Sequence, residues 1–209
     1  RDWSSDVCSS DLEIWKLKGN VHFKTGDKAD AVDCYSRAIG MGAETAVLLR
    51  SKGRAEEELG RLDDAFGSYS RAAELEEGDA VLWMNIGIVQ AKLGKIEEAV
   101  RSLGRSIALD STNKRAWLNQ AALLEKLGED EEALRCFDTV LANEPQDKFA
   151  WSGKGRILMR MDKLDQAKRA LDRALEIDPA LPSAQESSAV LAQRLKERSE
   201  EHTSELQSR

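Results

Sequence analysis

Five blocks of 34 residues follow one another in this chain without an insertion or a deletion, and a period of that length restricts the fold more than any other feature. Trp15, Trp83, Trp117 and Trp151 stand on one rung of the lattice, with Leu49 in the remaining place. Four residues after each rung come Gly19, Gly53, Gly87, Ala121 and Gly155. Sixteen after it come Ala31, Ala65, Ala99, Ala133 and Ala167, and four further on Tyr35, Tyr69, Leu103, Phe137 and Leu171. Pro145 and Pro179 keep the same spacing.

Each block reads as a helix, a tight turn and a second helix. In the stretch AWLNQAALLEKLGEDEEALRCFDTVLANEP the apolar residues recur at three and four, the mark of an amphipathic helix. Gly26, Gly60, Gly94 and Gly128 are placed to end the first helix in the left-handed conformation that glycine adopts without strain. Acidic residues such as Asp63, Asp64, Glu97, Glu98, Glu131 and Glu132 then crowd the first turn of the second helix, at the positive end of its dipole. Glycine inside a helix costs roughly 1 kcal/mol relative to alanine, so the mid-helix glycines need a reason. Close approach of two helices supplies one, with the Trp and aromatic rungs filling the space between. No block can bury its apolar face alone, but stacked blocks can.

The two ends stand outside this pattern. One back-translation of the closing RSEEHTSELQSR, read on the complementary strand, encodes the opening RDWSSDVCSSDL. Two unrelated termini that encode the two strands of one oligonucleotide resemble a translated sequencing-library adapter. Residues 1–12 and 198–209 are therefore expected to be non-native tails, as fusion scars are, and the first of them has no helical or strand period. The native segment is expected at about 13–197, with its own start and stop outside it. Trp3, Cys8 and His202 then leave the functional inventory. Of the net charge of −7 the tails carry −2 and −1, leaving about −4.

The register of large aromatic, small residue, Ala, aromatic, Ala and Pro resembles the tetratricopeptide repeat (TPR) family, with copies at about 12–45, 46–79, 80–113, 114–147 and 148–181. The resemblance implies an all-α, right-handed α-solenoid of five helix-turn-helix repeats plus a C-terminal helix. Residues 182–197 continue the lattice, as a capping helix or as the first helix of a truncated sixth repeat. Lys18 and Lys52 depart from the family by standing where an apolar residue is usual, and IGMGAE replaces the usual exit of the first copy.

The resemblance also implies a concave groove lined by six positions of each first helix. Over the five copies these positions hold nine basic and four acidic residues, a net +5 that focuses field and steers acidic partners. The peptide-binding set read from them is Lys16, Asn20, Arg50, Arg54, Met84, Asn85, Ile88, Arg115, Leu118, Asn119, Arg156 and Arg160. In it Arg50, Arg54, Arg115, Arg156 and Arg160 serve as anion contacts, Met84, Ile88 and Leu118 as apolar anchors, and Asn85 and Asn119 as peptide-backbone holders. The clamp by which some family members grip a chaperone tail is met at Lys16 and Asn20 only. Ser51, Val81 and Asn85 occupy its other places, which argues against a chaperone-tail adaptor.

Catalysis is not expected. His22 has no partners spaced to join it as a base or ligand, and GKGR at 153–156 lacks the strand and the Lys-Ser/Thr of a phosphate loop. Cys34 and Cys136 occupy equivalent places three copies apart, too distant to bridge. No cofactor or metal is expected. The acidic charge disfavours nucleic acid, and no apolar run is long enough to span a membrane. The reading is a non-enzymatic scaffold, cytoplasmic for want of targeting signals, that holds a protein or peptide partner, an acidic one by the charge count. The rival reading is a docking or regulatory arm of a kinase, glycosyltransferase or peptidase whose catalytic domain lies beyond the junctions.

Overall fold

A computed structural model describes the backbone from 3 to 207 and side chains from 11 to 200. The side chains of Trp3, Cys8 and His202 lie outside the described residues. Two compact units divide the chain, Arg1–Asn113 and Lys114–Arg209. The first contains α1 (Trp3–Thr25), α2 (Lys28–Gly40), α3 (Ala46–Glu58), α4 (Leu62–Leu75), α5 (Ala80–Lys92) and α6 (Ile96–Leu109). The second contains α7 (Lys114–Leu127), α8 (Asp130–Asn143), α9 (Lys148–Arg160), α10 (Leu164–Ile177) and α11 (Pro182–Gln207). Helices α3, α5, α7, α9 and α11 begin 34 residues apart, so α11 takes the place of a first helix. Within the first unit each helix packs on the next; in the second, α11 lies against both α10 and α9. Helix α1 starts inside the opening segment and α11 runs beyond residue 198, so neither boundary read from the sequence is a helix end.

The turns follow from local chemistry. Gly60, Gly94 and Gly128 have φ of +75°, +80° and +81°. The residue after each donates its N–H five residues back: Arg61 to Glu56, Lys95 to Gln90 and Glu129 to Leu124, at 2.9, 2.9 and 3.0 Å. Those bonds satisfy carbonyls that the helix end leaves open. The fifth copy makes the same turn with Asp162 at φ 56°. Two first helices start under an aspartate. Asp79 accepts from the N–H of Val81 and Leu82, and Asp147 from that of Ala150.

The mid-helix glycines are notches for side chains of the second helix. A Cβ added at Gly19 would sit 2.5 Å from the Tyr35 ring, at Gly53 3.0 Å from the Tyr69 ring, and at Gly87 and Gly155 2.8 and 2.6 Å from Leu103 and Leu171. Phe137 of α8 presses similarly on Gly153 of α9. Tyr35, Tyr69, Leu103 and Leu171 are among the most deeply buried large side chains, and the Ala31, Ala65, Ala99, Ala133 and Ala167 row is fully buried.

The tryptophans differ from their expected role as core filling. Trp15, Trp83, Trp117 and Trp151 are only half-buried. One side of Trp83 and of Trp151 packs on the core. A cation lies over the ring of three: Arg37 and Lys18 over Trp15, Arg105 over Trp83 and Lys154 over Trp151. The indole N–H of Trp83 and Trp151 donates to the carbonyls of Glu77 and Pro145 in the preceding turn. An amphipathic ring on a helix surface settles with its apolar side inward and its polar edge wet.

Polar groups enter the core in pairs. Glu56, 3% exposed, accepts from Ser68 at 2.6 Å and lies 3.2 Å from Lys52. Gln90 accepts from Ser102 at 2.6 Å. Cys34 and Cys136 are free and buried. Burial raises both thiols, Cys136 to about 11.

Three outcomes follow from this packing. Tyr69→Ala should lower stability by about 3–5 kcal/mol, more than Trp83→Ala, in urea titrations followed by circular dichroism. Asp79→Ala, which removes a cap, should cost about 1 kcal/mol by the same measurement. In a Cys8→Ser background the two remaining thiols should resist a thiol reagent at pH 8 and react fully once urea unfolds the chain, because the raised pKa leaves little thiolate.

Candidate functional site

In the first unit the first helices α1, α3 and α5 carry the expected binding residues. Asn20, Phe23 and Lys24 of α1, Ser51 and Arg54 of α3, and Tyr35 of α2 line one cavity of about 230 Å³. The notch at Gly19 receives the Tyr35 ring, which forms part of its wall. Tyr35 donates its hydroxyl to Asn20 Oδ1 at 2.9 Å. The Asn20 amide nitrogen makes no further hydrogen bond among the described residues. Phe23 forms an apolar floor with Lys28 3.6 Å and Arg54 4.7 Å from its ring centre. Lys24 is exposed and makes no ion pair among the described residues; Arg54 makes one loose pair, 3.5 Å from Glu58. Burial pushes the Tyr35 hydroxyl up, so it stays a donor at neutral pH.

The remaining first-unit residues do not join this cavity. Lys16 is held by Glu13, one turn away, at 2.9 Å. Arg50 reaches Asp79, the residue that caps α5, at 2.8 Å. Met84 is 3% exposed with its sulfur 3.8 Å from the Asn113 amide. It is a buried residue and not the surface anchor expected of it. Asn85 and Ile88 are half-buried on α5, and Asn85 makes no hydrogen bond among the described residues.

The second unit spreads its expected residues differently. Arg115 is exposed and makes no ion pair among the described residues. Leu118 and Asn119 are half-buried on α7. Arg156 of α9 grips Glu125 of α7 with two hydrogen bonds, 2.6 and 2.7 Å. The carboxylate raises the guanidinium pKa further. Arg160 donates to the Glu125 carbonyl at 2.6 Å and lies 3.2 Å from Asp130. Gly153 is buried beneath Phe137, and Ser152 and Met159 are buried as well, so the inner set is narrower here than its spacing implies.

Most of the basic residues in the set therefore face a carboxylate, although only Asp79 and Asp130 come from outside the positions counted and so reduce the excess. Arg50, Arg54, Arg156 and Arg160 each face a carboxylate, and Lys92 pairs with Glu57 at 2.7 Å. Two of these partners, Asp79 and Asp130, escaped the sequence reading because they stand at helix starts, outside the six positions counted. An aspartate directly before an amphipathic run was the signal for Asp79. Among the described residues no group of three or more His, Cys, Asp and Glu is arranged to hold a metal ion. His22 lies 3.7 Å from Asp27 and 4.0 Å from Asp30. No described helix is long and apolar enough to cross a membrane.

Comparison with known proteins agrees with this architecture. Three family profiles described as tetratricopeptide repeat match residues 16–80, 90–154 and 149–181. No curated protein matches. Among solved structures, the MamA protein superposes with a TM-score of 0.77 at 19% identity, over 82% of this chain and 93% of that one. YrrB, described as a TPR protein with an unusual peptide-binding site, gives 0.73 at 20% identity, over 84% and 90%. A tetratricopeptide repeat protein from Parabacteroides merdae gives 0.66 at 26% identity, over 70% and 58%. With the notched helix hairpins and their 34-residue register, these matches show that the chain belongs to the tetratricopeptide repeat family and has its α-solenoid fold.

Proposed function

We propose that the chain is a non-catalytic interaction module that holds an extended peptide against its first helices, with the cavity between α1 and α3 as the anchoring point. The observation that carries this is the convergence of Asn20, Phe23, Lys24, Ser51 and Arg54 on one 230 Å³ depression. An apolar side chain settles on Phe23, the Asn20 amide meets a peptide carbonyl, and a peptide carboxylate lies between Lys24 and Arg54. The preference for an acidic partner therefore rests on the first unit, where one cation is unpaired and the other loosely paired. Arg156 and Arg160, engaged by Glu125 and Asp130, have the weaker claim to an incoming carboxylate. The described peptide-binding site of YrrB lends support to a peptide partner. Two buried, unpaired cysteines suit a reducing compartment such as the cytoplasm.

Peptides selected from a displayed library against the full chain, labelled and titrated by fluorescence anisotropy, test the proposal. Lys24→Glu with Arg54→Glu should weaken an acidic peptide by about tenfold and flatten the dependence of its affinity on salt. Arg50→Glu should do less and should also lower stability, since it sets two carboxylates together. Equal affinity in the Lys24/Arg54 double variant would remove the acidic preference, and failure to select any peptide that competes at this cavity would remove the anchoring point.

A further inference from the structure

Besides the inner residues, the structure contains two crevices bordered by the tryptophan rungs, one in each unit, and they are the same crevice in register. Trp83, Ile86, Gln90, Ser102 and Arg105 line the first; Trp151, Lys154, Leu158, Ala170 and Arg173 stand 68 residues later in the second. Their charges differ in sign. The first, of about 360 Å³, also takes in Glu74 and Glu77, and its one cation, Arg105, is stacked 3.9 Å over Trp83 with Glu77 3.8 Å away. The second, of about 430 Å³, is lined by Lys154, Arg169 and Arg173 and by no carboxylate.

The three cations of the second crevice are available in different degrees. Arg169 makes no ion pair among the described residues, and its Nε lies 3.4 Å from the Asp165 carbonyl. Arg173 pairs with Glu176, whose side chain is 62% exposed, and Lys154 with Asp138, 51% exposed. Exposed pairs of this kind contribute little and exchange readily. The apolar part of the lining is the half-buried Trp151, with Lys154 5.5 Å over its ring, and Leu158 and Ala170, each 2% exposed, close the base.

We propose that the α9–α10 crevice is a second binding site, for an acidic peptide segment in which carboxylates flank one apolar side chain. The apolar side chain lies on Trp151 and Leu158, and the carboxylates meet Arg169 and Arg173. An inorganic anion leaves the apolar floor of such a volume empty. A nucleic acid brings a run of phosphates against a chain of net charge −7. A short acidic-apolar segment matches both the charge and the floor. This site shares no residue with the one proposed between α1 and α3, and each stands or falls without the other.

A fluorescein-labelled peptide of alternating glutamate and leucine, titrated into the full chain at low salt, is the probe. Arg169→Glu with Arg173→Glu should weaken it by about tenfold, and Arg169→Gln with Arg173→Gln, which adds no repulsion along α10, by a smaller factor in the same direction. The Trp151 indole resonance, assigned through Trp151→Phe, should shift on titration. Three results would overturn the proposal: affinity unchanged in both double variants, loss of affinity only in the Lys24/Arg54 double variant, or displacement of the probe by millimolar inorganic phosphate.

Discussion

A side chain pressed onto a residue that has none is the contact on which four of the five hairpins depend, the fourth copy having Ala121 in that place. Tyr35 on Gly19, Tyr69 on Gly53, Leu103 on Gly87 and Leu171 on Gly155 set the distance between paired helices. The neighbouring row of buried alanines keeps that distance over the next turn. Dispersion falls away steeply as surfaces separate, so a methyl group at one of these glycines costs more than its own volume. The ion pairs about one repeat apart presuppose helices already held at this spacing, whereas the left-handed turns and the capping aspartates are local.

This contact was legible because it obeys the lattice: a small residue and a large one, sixteen and four positions apart, recur without a break. The depth of a residue was not legible in the same way. The tryptophans mark the period as clearly as the tyrosines, yet the indole is too large and too polar at one edge to go fully inside, and it lies at the surface under a cation. Met84 shows the opposite error. Its place in the six-position stripe predicted exposure, but it is buried, and one of its contacts is Asn113, 29 residues away. Ion pairs such as Arg50 with Asp79 and Arg156 with Glu125 join residues about one repeat apart, and a count along single helices does not see them.

The electrostatic consequence is that, within each unit, several basic residues of the first helices are already paired with carboxylates. A peptide carboxylate arriving at Arg156 must replace Glu125 and its two hydrogen bonds, so the exchange returns little free energy. At Lys24 and at Arg169 no such exchange is required. On the proposed reading, affinity for an acidic partner depends less on the number of basic residues than on which of them have no carboxylate partner among the described residues. Glu74 and Glu77 extend the same rule to the crevices by turning one of two equivalent cavities away from acidic ligands.

The buried polar pairs have a bearing on how the copies recognise one another during folding. Along the lattice the same interior place holds Glu56 with Ser68, then Gln90 with Ser102, then Leu124 with Cys136, then Leu158 with Ala170. The backbones are near-identical and would allow a first helix to accept the second helix of another copy. The interior chemistry narrows that choice. Helix α3 closed against α8 would leave the Glu56 carboxylate facing a thiol, and against α10 a methyl group, with its serine bond lost in either case. A chain built from interchangeable shapes thus carries, at one interior position, a mark that separates the serine-bearing hairpins of the second and third copies from the others.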